Sequence, residues 1–184
     1  MTEKEKRDNQ ELYDANYNQN LIEEMKKAKQ LCFEYNNMNP SFREERANLI
    51  KRILGKTGEN ILIESNFYCD YGYNIIVGEN FYMNHNGVIL DAAKVEFGDN
   101  VFIGPNCGFY TAGHPIEIEL RNKGLEYAKP IKVGDNVWFG GNVVVLPGIT
   151  IGDNVTIGAG SVVTKDIPSN VIAHGNPCKV YRNI

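Results

Sequence analysis

Residues 133–163 read VGDNVWFGGNVVVLPGITIGDNVTIGAGSVV, and a large aliphatic or aromatic residue recurs at every sixth position: Val133, Phe139, Val145, Ile151, Ile157 and Val163. A second apolar column, Val137, Val143, Ile149 and Val155, runs four residues behind it. A period of six fits neither an amphipathic helix nor a simple meander. It fits a solenoid in which short strands turn a corner at each hexad, and stacked coils bury columns that no coil could bury alone.

Outward from this stretch the spacing continues through Val77, Met83 and Ile89 and through Phe97, Ile103 and Phe109. Two breaks interrupt it: a two-residue slip between Ile89 and Phe97, and an excursion at about 110–130 without clean hexads. The quartets VGEN, FGDN, VGDN and IGDN, around Gly78, Gly98, Gly134 and Gly152, are expected at coil corners, with glycine where the chain turns tightly. The fold class expected is mainly β, a parallel β-helix of hexapeptide repeats over residues 59–184, with a helical segment over 1–58.

The helical segment has its own periodicity. Asn20 and Glu23 have capping-box spacing, and Leu21, Met25, Ala28, Cys32 and Tyr35 follow a helical stripe. Ser41 and Glu44 repeat the cap, Ala47, Ile50 and Leu54 form a second stripe, and Gly55 is placed to stop that helix. So small a helical pair is not stable alone and is expected to pack on the solenoid, covering its first coil or walling a pocket.

Composition narrows the function classes. A net charge of −4 over 184 residues argues against general nucleic-acid binding. No leader-like apolar region opens the chain and no run is long enough for a membrane span, so the expectation is a cytoplasmic protein with no membrane partner. Cys32, Cys69, Cys107 and Cys178 stand far apart, which suggests neither a metal site nor a disulfide framework. From Thr164 onward Lys165, Lys179 and Arg182 face only Asp166, a basic island that is either a solvated tail or a site for a polyanionic ligand.

Among three histidines His114 stands out. It lies in TAGHP at the start of the excursion, where Gly113 gives backbone freedom and Pro115 favours an extended conformation. A long excursion from a regular solenoid is more often functional than decorative.

The hexads together with TAGHP, the 136–168 stretch NVWFGGNVVVLPGITIGDNVTIGAGSVVTKDIP, the terminal GNPCKVYR and the helical N-terminus resemble the maltose and galactoside O-acetyltransferases of the hexapeptide-repeat acyltransferase superfamily. The resemblance spans nearly the whole chain. It implies a left-handed β-helix, a homotrimer with sites between subunits, and direct acetyl transfer from acetyl-CoA to a hydroxyl of a small-molecule sugar, with no metal. His114 then serves as general base, a role suited to an imidazole. A backbone N–H near Gly140 or Gly141 is the candidate for stabilising the oxyanion, its aim being set by the fold and not by the sequence.

Carried across residue by residue, the resemblance assigns acetyl-CoA to Asn84, Gly141, Ala159, Thr164, Lys165, Lys179 and Arg182, the three cations meeting its phosphates. Trp138 packs against that cofactor, against a neighbouring subunit, or over a coil corner. Asp14, Asp70 and Asp91 correspond to sugar-contacting positions, and Glu126 is a candidate for orienting the acceptor or His114. Asp70 stands where the galactoside branch has serine, and Ala92 where it has a second aspartate, so the maltose-type branch is favoured. Rival readings are acetyl transfer to serine or an antibiotic, a solenoid without catalysis, a ping-pong route through Cys107, and a zinc enzyme of the γ-carbonic-anhydrase type using His85, His114 and His174.

Overall fold

The computed structural model describes residues 1–184. The hexads build three flat faces, and each coil visits them in turn. The first face holds Ile75–Val77, Val95–Phe97, Ile131–Val133 and Thr150–Ile151. The second holds Ile61–Ile63, Phe81–Met83, Phe102–Ile103, Trp138–Phe139, Val155–Ile157 and Val171–His174, extended at its edge by the antiparallel strand Lys179–Asn183. The third holds Phe67–Cys69, Gly87–Leu90, Gly108–Tyr110, Val144–Val145 and Val162–Val163. Successive coils pair in parallel and in register, so Val77, Phe97, Val133 and Ile151 form one continuous internal column. Inside, Phe81, Phe97, Phe109 and Phe139 run as an aromatic chain with centroids 5.0–5.2 Å apart, two of the contacts edge-to-face. Each such side chain contributes roughly 1.5–3 kcal/mol by leaving water.

The corners correct one expectation. At the corner quartets the left-handed residue is asparagine, not glycine: Asn80, Asn100, Asn136 and Asn154 all have φ between 54° and 57°. Asparagine tolerates that region because its short amide bonds locally. The glycine is required for another reason, since a Cβ on Gly98 or Gly134 would overlap the backbone of the next corner. The asparagines also form a ladder, each amide donating to the next from Asn60 through Asn80, Asn100, Asn136 and Asn154 to Asn170 at 2.8–3.1 Å. Beside it Asp99, Asp135 and Asp153 each accept from the backbone N–H of the preceding corner at 2.8 Å.

The ladder also measures each coil. Asn60 to Asn80 and Asn80 to Asn100 span 20 residues, Asn100 to Asn136 spans 36, and Asn136 to Asn154 spans 18. The surplus always falls between the third and first faces, at residues 70–74, 91–94 and 111–130. The two-residue slip and the excursion are thus one feature, stacked insertions on a single corner. The excursion is itself ordered, with Ala112–Gly113 and Leu125–Ala128 antiparallel and a short helix, Ile118–Asn122, between them.

The N-terminal segment packs over this corner and the first coil. It contains α1 (Glu3–Asp8), the two-residue strand Tyr13–Asp14, α2 (Gln19–Asn37) and α3 (Arg43–Ile53). Leu21, Ala28, Cys32 and Tyr35 are buried as the stripe predicts. The caps differ from expectation. Asn18, not Asn20, caps α2 by accepting from the Leu21 N–H, and Phe42 precedes α3 with no side-chain cap because Ser41 bonds Asn39 instead. Gly55 lies beyond the α3 cap residue Leu54, pressed against the Tyr73 carbonyl where a Cβ would not fit. A second small core of Tyr13, Ala15, Leu21, Tyr71, Ala92 and Ala128 joins the N-terminal segment to all three insertions.

Candidate active site

The excursion hairpin acquires a third strand from the N-terminus: Tyr13–Asp14 pairs antiparallel with Leu125–Ala128, placing Tyr13 opposite Glu126 and Asp14 opposite Leu125. His114 follows the other edge strand. Gly113 has no unusual φ there; a Cβ on it would press on the outer end of the Tyr127 ring. The His114 Nδ1 lies 3.0 Å from the Leu125 carbonyl oxygen. A carbonyl only accepts, so Nδ1 carries the proton and the neutral ring leaves Nε2 as a free base. The Glu126 Oε1 lies 3.8 Å from Nε2. The Tyr13 hydroxyl donates to the other oxygen of Glu126 at 3.0 Å.

Two of the predicted acceptor carboxylates sit on the stacked insertions, and their environments separate them. Asp91 is fully buried, and its carboxylate accepts the backbone N–H groups of Asp70 at 3.0 Å, Tyr71 at 2.8 Å and Asn74 at 3.3 Å. It has no surface to offer a sugar in this fold. The role visible for it is to hold the 70–74 turn. Asp70 is half-buried and its side chain accepts no hydrogen bond within the chain. Burial first, then the charge of Asp91, push its carboxyl up to about 6; Lys29 pulls the other way, and the charge of Glu126 adds the smallest push. Asp70 and Glu126 therefore sense one another. Asp14 has one oxygen engaged by the N–H groups of Asn16 and Tyr17 in a turn.

The expected cofactor positions divide between two places on one chain. Thr164 and Lys165 are exposed after the third face, on the same corner as the excursion. Asn84, Gly141 and Ala159 occupy the corner between the second and third faces, while Lys179 and Arg182 lie exposed on the strand that edges the second face. Trp138 is 56 % exposed on the second face, where Tyr82, Asn84, Phe102, Gly104 and Trp138 line an open pocket of about 470 Å³. The Gly140 N–H is committed to the Ile157 carbonyl, whereas that of Gly141 has no backbone partner. His114 and this second group of residues stand on different corners of the same prism.

Other candidates fall away on geometry. Cys107 is buried with its Sγ 3.2 Å from the Gly140 carbonyl, and burial pushes its thiol up, which suits a core residue and not a nucleophile. His85 bonds the Ser65 carbonyl at one corner and His174 stacks on Tyr181 at the chain's end, so the histidines do not converge. Tyr13 and the Leu125 carbonyl are site elements that the sequence did not single out. The only signal for Tyr13 was its place before Asp14, and a main-chain carbonyl leaves none.

A parallel β-solenoid whose one irregular corner carries a tautomer-fixed imidazole defines the hexapeptide-repeat acyltransferases as the class. The maltose acetyltransferase hexapeptide capping motif matches residues 6–58, and the bacterial transferase hexapeptide family, six repeats, matches residues 130–165. A putative acetyltransferase of Saccharomyces cerevisiae is 57 % identical over 95 % of this chain and 89 % of its own length. A maltose O-acetyltransferase from Clostridium difficile superimposes with a TM-score of 0.98 at 52 % identity, covering 100 % of this chain and 98 % of that one. A galactoside acetyltransferase solved with coenzyme A gives a TM-score of 0.97 at 46 % identity, over 100 % and 92 %. The chain belongs to the maltose and galactoside O-acetyltransferase family, and its solenoid is the left-handed β-helix of those enzymes.

Proposed function

We propose that this protein transfers the acetyl group of acetyl-CoA directly to a hydroxyl of maltose, glucose or a related saccharide, with His114 as general base. The observation that carries the reading is the Leu125 carbonyl fixing the Nδ1–H tautomer, which leaves Nε2 unprotonated toward solvent beside Glu126. Nε2 takes the acceptor's hydroxyl proton as its oxygen attacks the thioester carbon. The C–S bond then breaks, and the same nitrogen returns the proton to the departing thiolate, leaving acetylated sugar and free CoA. The unpartnered N–H of Gly141 is available to the carbonyl oxygen as it gains charge. Exposed Lys165, Lys179 and Arg182 suit the phosphates of the nucleotide, and the coenzyme A bound to the galactoside enzyme supports that cofactor.

The same reading makes the protein a cytoplasmic homotrimer. A base on one corner and cofactor positions on another are of use together only when a neighbouring copy brings its second face to the excursion. Exposed apolar groups on both sides, Ile116 and Ile118 on the excursion and Phe102 and Trp138 on the second face, support that contact. The reading is tested by CoA-thiol release with a panel of mono- and disaccharides, serine and a streptogramin. Sugar-dependent release should fall by about 10² to 10⁴ in His114→Ala with acetyl-CoA binding retained. Equal release in the variant would remove His114 from the mechanism, and preference for serine or the antibiotic would change the acceptor.

A further inference from the structure

Glu126 presents one oxygen to the active imidazole and the other to the protein. Its carboxylate receives a single hydrogen bond, from the Tyr13 hydroxyl at 3.0 Å, and its own side chain is 19 % exposed. A glutamate side chain has several staggered rotamers of its own. Tyr13 selects one of them. The phenol ring is 1 % exposed, packed among Ala15, Leu21, Tyr71, Ala92 and Ala128, and stands directly across the strand pair from Glu126. Its hydroxyl has no freedom to follow a wandering carboxylate.

We infer that Tyr13 is a positioning residue for the proposed proton transfer: its O–H holds the Glu126 carboxylate beside the His114 nitrogen that receives the acceptor's proton. In the resting site neither Nε2 nor the carboxylate can donate, and the two acceptors stand 3.8 Å apart. Once Nε2 is protonated the same separation places an imidazolium against a fixed negative charge. The transient cation is favoured without any group having to move. Burial, then the charge of Glu126, pushes the Tyr13 phenol above its ordinary range, so it stays a donor wherever the imidazole titrates. The other ionisable groups felt here are Asp70, which senses Glu126, and Tyr71 and Arg7, which sense Tyr13. The N-terminal segment therefore reaches the chemistry through a hydrogen bond as well as through packing.

This inference rests on the general-base reading, and its test is separable from it. The imidazole of His114 is titrated by NMR in the ligand-free full-length protein, with His85 and His174 as internal controls, in wild type, Tyr13→Phe, Glu126→Gln and the double variant. The phenylalanine keeps the ring and its packing. The His114 midpoint is expected to fall by about half a pH unit or more in Tyr13→Phe, in the same direction as in Glu126→Gln, with no further fall in the double variant. In turnover, kcat should drop by about 5- to 50-fold and the acid limb of kcat/KM should move to lower pH, with the KM for acetyl-CoA unchanged. A His114 midpoint in Tyr13→Phe equal to wild type overturns the inference, as do effects of the two substitutions that simply add. Because the titration needs no acceptor, failure to find the right sugar leaves this result intact.

Discussion

Asp70 is a half-buried carboxylate that accepts no hydrogen bond, and the fold holds it at a disadvantage. Its folded pKa of about 6 lies above the ordinary aspartate value, so from about pH 4 the unfolded chain releases this proton more readily than the native one. Native stability therefore falls as pH rises from about 4 to about 6 and stays lowered above that. The cost at neutral pH is about 1–3 kcal/mol, taking partial exposure into account. Asp70→Asn should raise the thermal midpoint at pH 7.5 and leave it nearly unchanged at pH 4, as calorimetry at the two pH values would show. A rise of equal size at both would mean that the burden is not electrostatic. A carboxylate kept at such a cost, on the same corner as the excursion, is in keeping with the proposed acceptor role.

The elements are held by their corners as much as by their strands. Strands of two or three residues have few ladder hydrogen bonds of their own, and the asparagine column supplies a continuous line of amide contacts across the coils. Asn136 combines a φ of 57° with donation from its side-chain amide to Asn154 at 3.0 Å, and its side-chain Oδ1 accepts from Asn100. Asn136→Ala should lose about 2–3 kcal/mol, from a left-handed alanine and a broken ladder. Asn136→Gly should lose only about 1, since glycine adopts that backbone freely. Denaturant unfolding of the two variants separates the contributions; equal losses would assign everything to the amide ladder. The cysteine pair Cys32 and Cys69, with sulfurs 3.6 Å apart, similarly marks how closely α2 sits on the third face.

In the whole molecule the insertions between stacked coils are gathered on one edge, which accumulates the 70–74 turn, the 91–94 turn and the excursion, with the second small core beneath them. Regular coils leave no room for a site in their interior, so chemistry is built where the repeat is broken. The proposed trimer has a stoichiometric consequence. If each site takes His114 from one copy and the second face from the next, coexpressing His114→Ala with a Lys179→Glu, Arg182→Glu variant should restore activity at about a quarter of the sites in random trimers. Two inactive proteins that remain inactive when coexpressed, with mixed trimers verified by mass, would place the whole site within one copy.

The sequence by itself determined the solenoid, because a six-residue period of Val, Ile and Phe can be buried only by stacking coils. It also made the α2 stripe, the corner positions and the exceptional standing of His114 readable, since each is a local pattern. Tertiary structure alone decided the rest. The slip after Ile89 and the excursion are separate breaks in the chain and become one edge only when coils stack. Asn18 rather than Asn20 caps α2, and the corner glycines serve contact rather than φ, because neighbouring segments select among local options of similar energy. The proton on His114 is assigned by a main-chain carbonyl, and Glu126 is oriented by a tyrosine 113 residues away in the chain. Such contacts have no spacing to read, because they exist only between surfaces that folding brings together.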